Sequence, residues 1–269
     1  MSATPSPISI STKSPKQGHT MDIILLQEEN YPQAKKYTLR ADDLIREGRF
    51  IAAEMILLRG IYRYSKDSRL LFQLGKLYRT RNRITEAVEP LEHGAALAPH
   101  STYINYELGL VRMALRDYEG SLSCLNKVRA RDAEFLPAAT AMADVLMLMN
   151  KLGDAHTLIQ GIIAAFPDRE EARRSLARFH FVHYDFESCL NILDRMSEGQ
   201  AGTNLEIGLT ETALHQPEYA VDAIETALEI QPFDLRTRRA RKAVQIGLED
   251  PVRGAAIARS LMLPSLIAA

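Results

Sequence analysis

Five small residues, Ala53, Ala87, Ser121, Ala155 and Cys189, fall thirty-four positions apart, and that interval constrains the fold more than any other feature. A second small set keeps the same step: Ala41, Gly75, Gly109, Ala143 and Ala177. So does a large aliphatic set: Leu57, Leu91, Leu125, Ile159 and Leu193. Three registers sharing one period, each confined to one size class, describe a single structural unit repeated in tandem. Small side chains at fixed points let two helices approach closely, and large ones four residues later fill the groove between turns. Such a unit cannot bury its apolar face alone, so it gains stability by stacking on its neighbours.

The units run 34–67, 68–101, 102–135, 136–169 and 170–200. The clearest reads Leu71, Leu74, Gly75 and Tyr78, then Ala87, Leu91 and Pro99. Its first half places apolar residues on one helical face at spacings of three and four, and Pro99 stops its second helix. A turn at Arg81-Asn82-Arg83 separates the two helices. Equivalent turns centre on Gly48-Arg49, Arg116-Asp117 and Tyr184-Asp185, and Pro167 repeats the role of Pro99. After Cys189 the register slips by three. Gly208, Ala220, Ile224, Ala227 and Pro232 restart it at 201–234, which shortens the loop around Glu198-Gly199-Gln200.

A last helix pair, about 235–248 and 251–262, places Arg238, Arg241 and Lys242 near points that should be apolar. Terminal repeats have one side in water, so residues 235–269 read as a degenerate capping pair and tail. Residues 1–20, rich in Ser, Thr and Pro without an apolar face, are expected to be disordered. Residues 21–33 form a lead-in, with a short helix over 21–31 ended by Pro32. Met21 offers an alternative start of translation.

Composition agrees with a helical array. The chain of 269 residues exceeds one ordinary domain, yet a stack of that length forms one body. It has no Trp and many Ala, Leu, Arg and Glu residues, which favours helix. A formal net charge of −1 does not point to nucleic acid or an anionic surface. Tandem stacking also predicts an elongated molecule with few contacts beyond adjacent units.

Leu71, Leu74, Gly75, Tyr78, Ala87, Leu91 and Pro99, with Asp117-Tyr118-Glu119 ahead of Ser121, resemble the tetratricopeptide repeat, a thirty-four-residue helix–turn–helix. The resemblance covers about six units over 34–234. It departs from the family in lacking Trp, in Arg112 where an aromatic is usual, and in Ala133 where Pro is usual. It implies an all-α, right-handed superhelical solenoid whose first helices line a concave groove. It implies protein–protein recognition without chemistry.

The resemblance points Arg69, Phe72, Lys76 and Arg79 of the second unit into that groove, then Tyr103, Tyr106, Leu110 and Met113 of the third. Thr140, Asp144 and Met147 follow from the fourth, and Arg174, Arg178 and Phe181 from the fifth. An apolar, tyrosine-bearing centre flanked by cations suits a protein or peptide segment with apolar anchors and acidic flanks. The implied role is a scaffold or adaptor. The alternative is a chaperone or assembly factor for secretion-system or pilus components. The acidic-peptide clamp of the family's heat-shock adaptors is not reproduced, because Thr38, Asp42, Gln73, Tyr103 and Glu107 stand at the matching places.

The search for chemistry returns little. The chain has no GxxxxGK[ST], GxGxxG, HExxH or CxxC motif, so neither an enzyme nor a cofactor or small-molecule substrate is expected. His180 and His183 share a helical face, but zinc needs two further ligands that no spacing supplies, so no metal is expected. Arg236, Arg238, Arg239, Arg241 and Lys242 lack the stacking aromatics of a nucleic-acid surface and read as a solvated cap helix. Cys124 and Cys189 lie about two units apart, too far to bridge, and are expected as buried free thiols. No run approaches the ~18 apolar residues of a membrane span. No apolar core of secretory length stands near the start, Ile23 to Leu26 being too short, so the expected location is cytoplasmic.

Overall fold

The computed structural model describes residues 31–196 and 200–263. The expected tail over 1–20, the lead-in helix except its last residue, positions 198–199 of the shortened loop and the last six residues lie outside the described residues. The described residues form seven helical hairpins and no strand. The hairpins are α1 (Tyr31–Arg46) with α2 (Phe50–Arg63), α3 (Ser68–Thr80) with α4 (Ile84–Leu97), and α5 (Thr102–Ala114) with α6 (Tyr118–Arg131). Then come α7 (Leu136–Leu148) with α8 (Leu152–Ala165), α9 (Glu170–Val182) with α10 (Phe186–Leu193), α11 (Ala201–Ala213) with α12 (Pro217–Ile230), and α13 (Leu235–Glu249) with α14 (Pro251–Leu261). Pro32 falls in the first turn of α1, so it opens that helix rather than ending an earlier one.

The three periodic registers are the core. Ala53, Ala87, Ser121, Ala155 and Cys189 are all 0% exposed, and Leu57, Leu91, Leu125 and Ile159 match them. A Cβ added to Gly75 would lie 2.4 Å from Cγ of Leu91, which shows how closely the two helices of one unit cross. Ser121 is the polar member of its set, and its hydroxyl donates to the Gly109 carbonyl at 2.7 Å. Both cysteines are buried free thiols, and burial pushes the Cys189 thiol up to about 12.

In the first six hairpins the turn carries one residue in the left-handed region: Gly48, Asn82, Arg116, Asn150, Tyr184 and, after the slip, His215. The next residue's N–H then reaches the carbonyl five positions back, as from Arg83 to Tyr78 and from Asp117 to Arg112. This closes a Schellman turn that satisfies the helix end. At the other end of the unit, Pro99, Pro167 and Pro232 each follow a helix C-cap. Their carbonyls accept from Asn105, Arg173 and Arg238, each six residues on. Arg238 therefore clamps a loop, which is why it departs from the apolar pattern.

Successive first helices touch one another (α1 with α3, α3 with α5, α5 with α7, α7 with α9), so they line the concave side of the solenoid. The final hairpin does more than end the stack. Helix α14 packs on α11 as well as on α13 and so turns inward. Its Ala258 and Leu261, with the following Met262, share one buried cluster with Phe181, Leu205 and Leu209. Leu263 joins Met147 and Ala155. The Arg236 guanidinium donates to the carbonyl of Leu261 at 2.7 Å and to that of Met262. The concave side is thereby covered along the fourth to sixth units.

Helix packing stays within units and between adjacent ones, as tandem stacking predicts, and a local contact reaches further. The Phe233 ring of the sixth unit meets Phe50 of the first edge-on at 5.7 Å. Its carbonyl accepts from Arg81 at 3.5 Å, and the Arg81 guanidinium lies 4.1 Å over the Phe50 ring. Gly48 has φ +74°, and a Cβ there would lie 2.6 Å from the Phe233 ring, so backbone and packing both require glycine.

Candidate functional site

Over the first three units the concave side stays open, and an aromatic row runs along it. Phe72 of α3 lies 6.4 Å from Tyr103 of α5, and Tyr103 lies 5.9 Å from Phe135 at the start of α7. Phe135 in turn meets Tyr106 at 5.3 Å. The two pairs made by Phe135 are edge-on, an arrangement that aromatic quadrupoles favour. Tyr103 is 55% exposed, and burial pushes the half-covered Tyr106 hydroxyl up to about 12. The exposed Lys76 ammonium sits 5.9 Å from the Phe72 centroid. Leu110 is half-buried against the cluster around Leu125 and Val145.

Below this row, polar rungs tie α1 to α3, α3 to α5, α7 to α9 and α9 to α11. Gln73 donates to both Asp42 carboxylate oxygens at 3.1 Å. Arg79 grips Glu107 through two bonds, at 2.5 and 3.2 Å. Arg178 reaches Asp144 at 2.6 Å and Glu206 at 3.6 Å, with all three side chains almost fully buried. Burial pushes the Asp144 carboxyl up to about 6 against the opposing pull of Arg178.

These rungs correct part of the groove drawn from the repeat register. Arg79 and Arg178 are not free charge complements, since each is consumed by carboxylates on the adjacent inner helix. Met113 is 2% exposed and belongs to the core, so it cannot serve as an anchor. Asp144 and Met147 are buried likewise. Arg174 is half-buried with its guanidinium against Gly202. Phe72, Lys76, Tyr103, Tyr106 and Leu110 remain along the open face.

Sequence reasoning missed Phe135 and Leu39. Leu39 is 53% exposed and holds the place that Gln73 and Glu107 hold in later units, so an apolar residue there was a readable signal. Phe135 carried none, because its counterparts Asp67 and Ser101 are helix caps.

The remaining sequence candidates have structural partners. His180 pairs with Asp185 at 3.0 Å, and His183 packs on Phe179 at 4.5 Å. In the basic run, Arg236 and Arg238 bind backbone carbonyls and Arg241 reaches Glu225 at 2.8 Å. No helix among the described residues is long and apolar enough to cross a membrane.

No protein-family model and no curated protein matches the chain. Solved structures do. A tetratricopeptide repeat protein from Parabacteroides merdae superposes with a TM-score of 0.69 at 14% identity, over 81% of this chain and 86% of that one. PilF of Pseudomonas aeruginosa gives 0.55 at 12% identity, over 81% and 99%. The TPR-like repeats of a kinesin light chain from Podosopora anserina give 0.54 at 18% identity, over 63% and 95%. The chain has a tetratricopeptide-repeat-like fold, an all-α helical-repeat solenoid.

Proposed function

We propose that the chain is a non-enzymatic interaction scaffold that holds a partner's peptide segment on the open concave face of its first three units. The row Phe72–Tyr103–Phe135–Tyr106 carries this reading, since it presents rigid aromatic area to solvent beside an exposed cation. Tyrosine offers contact area at low entropic cost together with a polar tip. Lys76 complements an acidic flank, so the fitting segment has apolar or aromatic anchors next to Asp or Glu. The inward α14 supports a helical ligand, because a helix with an apolar stripe already lies along the later units.

The test uses full-length protein to capture a partner and then measures its affinity for variants. Tyr103→Ala should weaken binding at least tenfold, about 1.4 kcal/mol. Stability should change by less than about 0.5 kcal/mol, because the side chain is mostly in water. Lys76→Glu should weaken binding most at low salt. A partner that binds both variants like wild type uses another surface.

A further inference from the structure

The outer face of α2 departs from every other unit. Ile51, Met55, Leu58 and Tyr62 are 78%, 63%, 45% and 93% exposed and form one stripe along that helix. One period later the same places hold Thr85, Glu89, Glu92 and Ala96, and in the sixth unit they hold Glu218, Asp222, Glu225 and Glu229. From the second unit to the sixth these points hold only small or polar residues, and among those six units the first alone carries large apolar side chains there. Steps of four, three and four are those of a coiled-coil seam, which fits a second helix laid along α2 for about 16 Å.

The charges beside the stripe choose the partner. At about 100° per residue, Arg59 and Arg63 fall on one flank of the stripe and Glu54 on the other. Glu54 faces the second unit, where it takes Arg83 at 2.5 Å and the Tyr78 hydroxyl at 2.9 Å. Beyond it α4 exposes Glu86, which pairs with Arg83, Glu92, which pairs with Arg112 at 3.2 Å, and Glu89, whose carboxylate is open to a partner. We propose that α2 is the interface of a parallel two-fold dimer of this chain, with the axis running along the helix. That axis lays the Arg59–Arg63 flank of one copy over the acidic side of the other, and the two solenoids extend in opposite directions. An axis across α2 would set the two acidic α4 faces against each other. Four side chains make a short seam, so the dimer is concentration-dependent.

Sedimentation velocity of the full chain over a concentration series tests this. Wild type should pass from monomer to dimer, and Met55→Glu should weaken association at least tenfold with helicity unchanged. If Met55→Glu folds poorly, Arg59→Glu with Arg63→Glu serves instead. It should weaken the dimer, and adding Glu89→Arg should restore it. Ile51→Cys and Tyr62→Cys fix the geometry, since Cys124 and Cys189 are buried and silent. In a parallel pair each variant alone oxidises to a covalent dimer, because like residues face one another. A monomer at every concentration overturns the proposal. So does a dimer indifferent to both sets of charge changes, or cross-linking only when the two cysteine variants are mixed.

Discussion

Arg116 has φ +63° and stands where the first unit has Gly48 and the second Asn82. A left-handed backbone costs an L-residue about 1–2 kcal/mol, while glycine accepts it freely. Replacement by glycine also gives the unfolded chain more freedom, which offsets about 0.4–1 kcal/mol. Arg116 is exposed, so Arg116→Gly should leave a net stabilisation of about 0.5–1 kcal/mol, read as a higher urea midpoint at unchanged slope. A lower midpoint would show that the arginine stem contributes more to the turn than its backbone costs. The same position shows what one sequence reveals at this scale. Gly48, Asn82 and Asn150 advertise a left-handed turn, whereas Arg116, Tyr184 and His215 conceal it and are placed by the period alone.

At the scale of helices, the shared registers were legible because every unit repeats them with one size class. The rungs between inner helices were not. Asp42, Asp144 and Arg178 share one column of the repeat and Gln73, Glu107 and Glu206 another, yet residue type and charge change from unit to unit, so no single size class marks the rungs. Arg79 and Arg178 consequently read as free cations of a groove. The inward turn of α14 was hidden for a related reason, since its apolar stripe looks the same whether it faces α11 or an outer neighbour. The buried rung also gives a pH dependence. Burial holds the Asp144 carboxyl at about 6, above the ~3.9 of an unfolded chain, so the folded state binds the proton more tightly. Stability from this group is full below about pH 4 and declines as pH rises through about 6. Asp144→Asn removes the titration. The stability of wild type relative to that variant, from urea unfolding, should therefore fall between about pH 5 and about pH 7.5. A difference that grows over that window would mean that Arg178 outweighs burial and holds the carboxyl low.

For the whole molecule, the contact between the first and sixth units decides the shape. A stack bound only through neighbours behaves as a spring, whose end-to-end spacing is set by small rotations summed along the array. Phe233 pins that spacing by inserting between Gly48 and Phe50, with Arg81 holding both the Phe50 ring and the Phe233 carbonyl. None of this follows from the period, because the residues meet only after the curvature of four intervening units has accumulated. Phe233 is 40% exposed, so its truncation removes a partial apolar contact worth about 1 kcal/mol, and no helix depends on it. Phe233→Ala should therefore keep its circular dichroism and shift its melting only slightly. Its small-angle scattering should instead show a larger radius of gyration than wild type, moving away from the ~18 Å of a compact chain this long. Superimposable scattering curves would mean that the inner rungs and the inward α14 fix the curvature unaided, and that the Phe233 contact merely records it.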